Sequence, residues 1–156
     1  MRRISIFLFI LMAAFFTASL GLAAEKTFKA KFSGKEETPA VSTKAKGDAE
    51  FKLGKDSKEL TYIIHLKDIE NVTAAHIHMG KKGKAGPPVV NLFTGLKKAG
   101  KFSGVLAEGR IMDKDLTGDL QGKMIDDLVM LIKSGDAYVN VHTDMNPNGE
   151  IRGQIK

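Results

Sequence analysis

The sequence predicts an all-β domain, a sandwich or small barrel of about eight strands with one short amphipathic helix. Three observations predict it. Apolar residues alternate with polar ones in short runs, the period of a half-buried strand. Clusters of Gly, Pro, Asn and Asp close each run, as turn chemistry requires. A single segment departs from this period and follows helical spacing instead.

The chain of 156 residues opens with a segment that does not belong to this fold. Arg2 and Arg3 precede an apolar run from Ile4 to Phe16, and small residues follow to Ala24. That order of charge, apolar stretch and small residues is expected of a secretory signal peptide over residues 1–24. The apolar run falls short of the ~20 residues that a membrane-spanning helix needs. Residues 25–156 then form the mature domain, sized for one core, with no membrane span. The expected location is outside the cytoplasm, periplasmic or extracellular.

Within the domain, Phe28, Ala30 and Phe32 alternate with lysines and give a first strand with one wet face. After a turn at Glu36-Glu37-Thr38-Pro39, Ala49, Phe51 and Leu53 alternate with Asp48, Glu50 and Lys52. Leu60–Leu66 and Thr73–Met79 read as two further strands, the second ended by Gly80-Lys81-Lys82-Gly83. Val89–Phe93, Lys101–Ile111, Ala137–Thr143 and Glu150–Ile155 complete the set. The helix lies between the sixth and seventh of these. Met124, Ile125, Leu128, Val129, Leu131 and Ile132 form its apolar stripe, with Lys133 in the last turn and Gly135 just beyond as the cap residue. Asn146-Pro147-Asn148-Gly149 marks a hairpin turn, which makes Ala137–Thr143 and Glu150–Ile155 antiparallel neighbours.

Composition excludes several chemistries. Cysteine is absent, so thiolate metal sites, Cys nucleophiles and stabilising disulfides are ruled out. The charge of +6 contains the two leader arginines, and the balanced remainder does not argue for nucleic acid. The serines carry no nucleophile-elbow context, and no enzymatic activity is predicted. Lys81, Lys82 and Lys84 read as a solvated loop tip, and Glu36 and Glu37 as turn residues that converge on nothing. Glu150 and Arg152 share a strand face and read as a surface pair of small energetic value.

The four histidines are the informative chemistry. His76 and His78 sit two apart on one predicted strand, so both rings leave the same face. His142 shares a face with Tyr138 and Asn140, opposite to Val139 and Val141. The valines should turn inward, which puts His142 on an outer, polar face like His76 and His78. If the two strands are neighbours, three neutral imidazoles form a metal site suited to copper or zinc, with one position open. Asp144, Met145 or water are the candidates for that position; Met79 points inward and reads as core filling. The competing reading is a structural or protein-interaction domain without metal, in which the histidines are solvated or hydrogen-bonded. His65, flanked by apolar residues on both faces, reads as a partly buried structural histidine.

These stretches resemble the CHRD domain, a module named from chordin. The resemblance is carried by Phe32–Val41, Gly47–Phe51, Leu60–Tyr62, Thr73–Gly80, Gly86–Val90, Ile132–Thr143 and Pro147–Ile155. It implies a Greek-key, immunoglobulin-like β-sandwich similar to the barrel of copper–zinc superoxide dismutase. By that analogy His76, His78 and His142 fall on copper-ligand positions. The chain lacks the dismutase's Cys pair, bridging histidine and zinc-loop cluster. The resemblance therefore implies a non-catalytic copper-binding module rather than a dismutase.

Overall fold

The structure is a computed structural model that describes residues 26–156. The signal peptide expected over residues 1–24 lies outside the described residues. No helix among these is long and apolar enough to cross a membrane.

Among the described residues, seven strands and one α-helix make up the fold: β1 Thr27–Ser33, β2 Lys46–Leu53, β3 Glu59–Met79, β4 Pro88–Phe93, β5 Lys98–Met112, α1 Ile125–Lys133, β6 Ala137–Thr143 and β7 Ile151–Gln154. The all-β sandwich or barrel predicted from period-two alternation is the observed class. The count drops from eight to seven because Leu60–Leu66 and Thr73–Met79 are one continuous strand of 21 residues. The polar stretch between them reads as a break in sequence. In the structure Ile69 and Val72 stay buried and carry the strand through it. Asp68 and Asn71 take left-handed backbone angles there, φ 55° and 51°, which Asp and Asn accept more readily than most residues. Pairing with β5 shifts register on either side of Ile69. Bulges of this kind bend a strand, so β3 turns a corner rather than ending.

That corner closes the fold. The first half of β3 pairs with β2 on one edge and β5 on the other. Its second half pairs with β6 and β4. Since β2 also pairs with β1, β1 with β7 and β7 with β6, the ring β2-β1-β7-β6-β3 returns to β2. All these pairings are antiparallel, including the hairpin neighbours β6 and β7. Strands β4 and β5 lie outside this ring, each paired through β3 alone.

The core fills the ring. Phe51, Leu60, Ile64, Ile77, Val139, Val141 and Ile151 are fully buried, each stabilising the fold by roughly 1.5–3 kcal/mol of transfer free energy. Helix α1 adds Ile125, Leu128, Val129 and Ile132 from its apolar stripe and packs against β3 and β6. It ends as its sequence predicts. Gly135 takes φ 77°, its N–H bonds to the Ile132 carbonyl, and the Asp136 N–H reaches back to Leu131, both at 3.0 Å. This pair of bonds is the Schellman cap. It delivers the chain directly into β6, the strand that carries His142.

Candidate metal centre

Strands β3 and β6 bring the three predicted histidines together. In their antiparallel register His76 lies opposite Asn140, His78 opposite Tyr138, and His142 opposite Ala74. His142 is thus the diagonal neighbour of His76, within reach of a long side chain. The inward face of the same pair is apolar: Ala75, Ile77, Val139 and Val141 are buried. Burial of these residues fixes register, because a slip of one residue would turn them outward. The same constraint therefore holds the three imidazoles on one side.

His76 Nδ1 and His142 Nε2 are 3.1 Å apart. The ring centroids of His76, His78 and His142 are separated by 5.7, 4.9 and 5.9 Å. One nitrogen from each ring lies within 4.8 Å of the other two. Two nitrogens bound to one ion at ~2.0–2.1 Å can be at most about 4.2 Å apart, so small side-chain rotations complete the set. Three histidines here can hold a metal ion.

Backbone carbonyls fix the protons on two of the rings. His78 Nδ1–H donates to the Gly86 carbonyl at 2.8 Å, and His142 Nδ1–H donates to the Pro147 carbonyl at 2.9 Å. A carbonyl can only accept, so Nε2 of both neutral rings is left with its lone pair. His78 Nε2 is buried and has no hydrogen-bond partner. His76 Nδ1–H donates to His142 Nε2; were His76 Nδ1 to hold an ion, its ring proton would sit on Nε2 instead.

Burial keeps all three rings neutral. It pushes His76 down to about 4, helped by the neighbouring His142 and His78. It lowers His78 as well, against the bond to Gly86 and with the charges of His142 and Arg152 adding to the effect. His142 is lowered by burial against its bond to Pro147. Neutral imidazoles are the metal-binding form.

The histidine face differs from the predicted one in a single respect: it is covered. Tyr138 and Asn140 are buried, as is Arg152 on the adjoining β7, which is 2 % exposed. The loop from Lys81 to Gly86 lies over them. The Arg152 guanidinium donates to the Lys81 and Lys84 carbonyls at 2.9 and 2.7 Å and stacks on the Tyr138 ring at 3.3 Å. Gln154 ties down the Gly80 carbonyl. The lysine side chains of this loop are exposed, as predicted; its carbonyls hold the structural role.

The predicted surface pair of Glu150 and Arg152 is overturned. Glu150 is 8 % exposed, and its carboxylate accepts from Thr43, Thr143 and Asn146 at 2.7, 2.7 and 3.2 Å. Adjacent turn segments converge on these two residues and bury them separately. Glu37 also departs from its reading as a turn residue without partners. Asn140 Nδ2 donates to Glu37 Oε2 at 3.3 Å, and burial pushes the Glu37 carboxyl up to about 7 despite nearby Arg152. The chain signal for both was parity: Asn140 and Arg152 are cross-strand neighbours on the histidine side.

His65 is exposed, with Nδ1 3.4 Å from Asp48 across β2 and β3. The partly buried role read for it fails because its strand presents that face to solvent. Met79 packs partly buried against the core, as parity indicated. Met145 is 87 % exposed, and the Asp144 carboxylate is engaged by Lys97 at 2.7 Å.

The CHRD domain family matches residues 28–155 of this chain, nearly all of the described residues. Chordin of Xenopus laevis is 34% identical over 85 residues, covering 52% of this chain and 7% of chordin. The chain thus spans a small part of that relative's length. No solved structure matches, so the likeness to the dismutase barrel rests on the residue pattern alone. By its sequence across both histidine motifs and the closing hairpin, this chain belongs to the CHRD-domain family.

Proposed function

We propose that the domain is an exported, non-catalytic module that holds one copper ion through His76 Nδ1, His78 Nε2 and His142 Nε2. The observation that carries this reading is His78 Nε2, a buried lone pair without a partner beside two further imidazole nitrogens. An orphaned buried acceptor costs about 1–3 kcal/mol, and a bound cation removes that cost. All-nitrogen ligation by neutral imidazole suits copper or zinc, and copper follows from the similarity of the histidine pattern to the dismutase ligands. A storage, sensing or delivery role fits a site whose ligand carbonyl partners, on the Lys81–Gly86 loop and the Thr143–Glu150 turn, restrict access. Residues 1–24 would direct this domain to the periplasm or beyond the cell.

Titration of the purified, chelator-stripped domain with Cu(II) and Cu(I) tests the reading. One equivalent should bind tighter than micromolar, and His76→Ala, His78→Ala and His142→Ala should each weaken it. Micromolar or weaker binding that none of the three changes overturns it.

A second reading has one specific support. The 3.1 Å contact between His76 and His142 gives these two rings a partner without any ion, as in a metal-free structural or interaction domain. In that case His142→Ala lowers the melting temperature of the metal-free protein. Wild type and variant melting alike without metal would remove this alternative.

A further inference from the structure

Three layers are stacked behind the His78 nitrogen. Its imidazole lies against the Tyr138 ring with centroids 5.1 Å apart and planes 17° from parallel. On Tyr138 lies the Arg152 guanidinium, 3.3 Å from the ring centroid. Both contacts are attractive, and exclusion of water strengthens them.

The same two residues hold the loop that sets the His78 proton. Arg152 donates to the carbonyls of Lys81 and Lys84, which fixes the loop's first turn. Tyr138 fixes its far end: the Gly86 N–H donates to the Tyr138 hydroxyl at 3.1 Å, and that hydroxyl lies 3.4 Å from the Gly86 carbonyl. The Gly86 carbonyl accepts the His78 Nδ1–H. Loop geometry at Gly86 therefore decides which nitrogen of His78 is bare. Room at this point is tight, since a Cβ on Gly86 would collide with the Met79 carbonyl.

We propose that Arg152 and Tyr138 are positioning residues for the metal-binding nitrogen of His78, acting through the Gly86 carbonyl to keep its proton on Nδ1. The inference deepens the copper reading and rests on it for its purpose, but the clamp itself acts in the metal-free protein. Outer partners that orient an imidazole in this way are commonly worth about 10–100-fold in metal affinity. A guanidinium suits this position because its planar fork serves two carbonyls while its face stacks on an aromatic ring. Lysine retains the charge and loses both geometries.

The test uses nitrogen-resolved NMR of the histidine side chains, without metal, on the mature domain. Wild type should show His78 in the Nδ1–H form. Arg152→Lys and Tyr138→Phe should each move it toward a mixture of tautomers; Tyr138→Phe keeps the stack and guards against a general loss of folding. Copper affinity, read by competition with a chromophoric chelator, should fall by about 10–100-fold in Arg152→Lys. Lys82→Ala, on an exposed side chain paired with Glu36 at 3.2 Å, should stay within about twofold. The proposal is overturned if His78 keeps its tautomer in both folded variants, or if it changes tautomer while copper affinity stays within about twofold. A wild type that binds no copper overturns the metal reading alone, because the tautomer measurement still decides the clamp.

Discussion

His76 and His142 are 66 residues apart in the chain, and their nitrogens meet at 3.1 Å. The contact exists because Ala74, opposite His142, leaves space for an imidazole to lean toward the neighbouring rung. Both rings are held neutral by burial, and an acid titration should reveal this.

Unfolded histidine takes up a proton near pH 6.5, whereas folded His76 resists until about pH 4. The unfolded chain binds more protons across that interval, so folding stability falls as pH drops from about 6.5 to 4. His78 and His142 act in the same direction. Urea unfolding at pH 7 and pH 4.5 should show the loss, and His76→Gln should flatten the slope. A His76→Gln variant whose pH dependence over this interval matches that of the wild type contradicts the assignment.

Glu37 works against that slope. Its carboxyl is raised from 4.5 to about 7, so its contribution is full below pH 4.5 and fades as pH rises through 7. Its Oε1 and Asn140 Oδ1 are both buried acceptors without a partner; a proton on Glu37 supplies a donor. Glu37→Gln carries a donor at every pH. It should stabilise the domain at pH 8 by about 1 kcal/mol, the shift being discounted for partial solvent screening, and leave pH 4 stability nearly unchanged. Equal destabilisation at both pH values would refute the protonated form.

Glu150 anchors the turn that bears Pro147. Its carboxylate takes three side-chain hydrogen bonds, and removal leaves hydroxyl and amide donors unpaired. Glu150→Ala should cost about 2–4 kcal/mol, and Glu150→Gln about half as much, in chemical denaturation. A loss below about 1 kcal/mol for the alanine variant would make this carboxylate an ordinary surface group.

Gly86 should not tolerate a side chain. Its Cβ would meet the Met79 carbonyl, a backbone atom with no freedom to move aside. Gly86→Ala should cost about 1–3 kcal/mol as overpacking and weaken copper binding through His78. Normal stability together with normal metal affinity would show that the loop can shift without consequence.

Most of the fold was legible because alternation reports burial directly. Val139 and Val141 went inward and His142 outward, and α1 stopped at Gly135 as its cap residues dictate. Parity also assembled the three histidines, once β3 and β6 proved to be neighbours. The long reach of β3 was hidden because Lys67–Asn71 has turn composition, and only tertiary pairing keeps such a segment extended. The cover over the histidine face was equally hidden. Parity tells which side of a sheet a residue leaves; it carries nothing about a loop or turn folded back over that side. Arg152 and Glu150 therefore read as surface charges, although carbonyls of one loop and hydroxyls of another enclose them.

The corner in β3 has a mechanical consequence. A sandwich of two independent sheets can part along its interface, but here one strand is woven through both sides of the ring. Opening either side must tear the backbone ladder of β3, so the amides that β3 places in its ladders, outside the bulge at Asp68–Asn71, should exchange for deuterium only through global unfolding. The histidine pair near the end of that strand inherits the rigidity of the whole molecule.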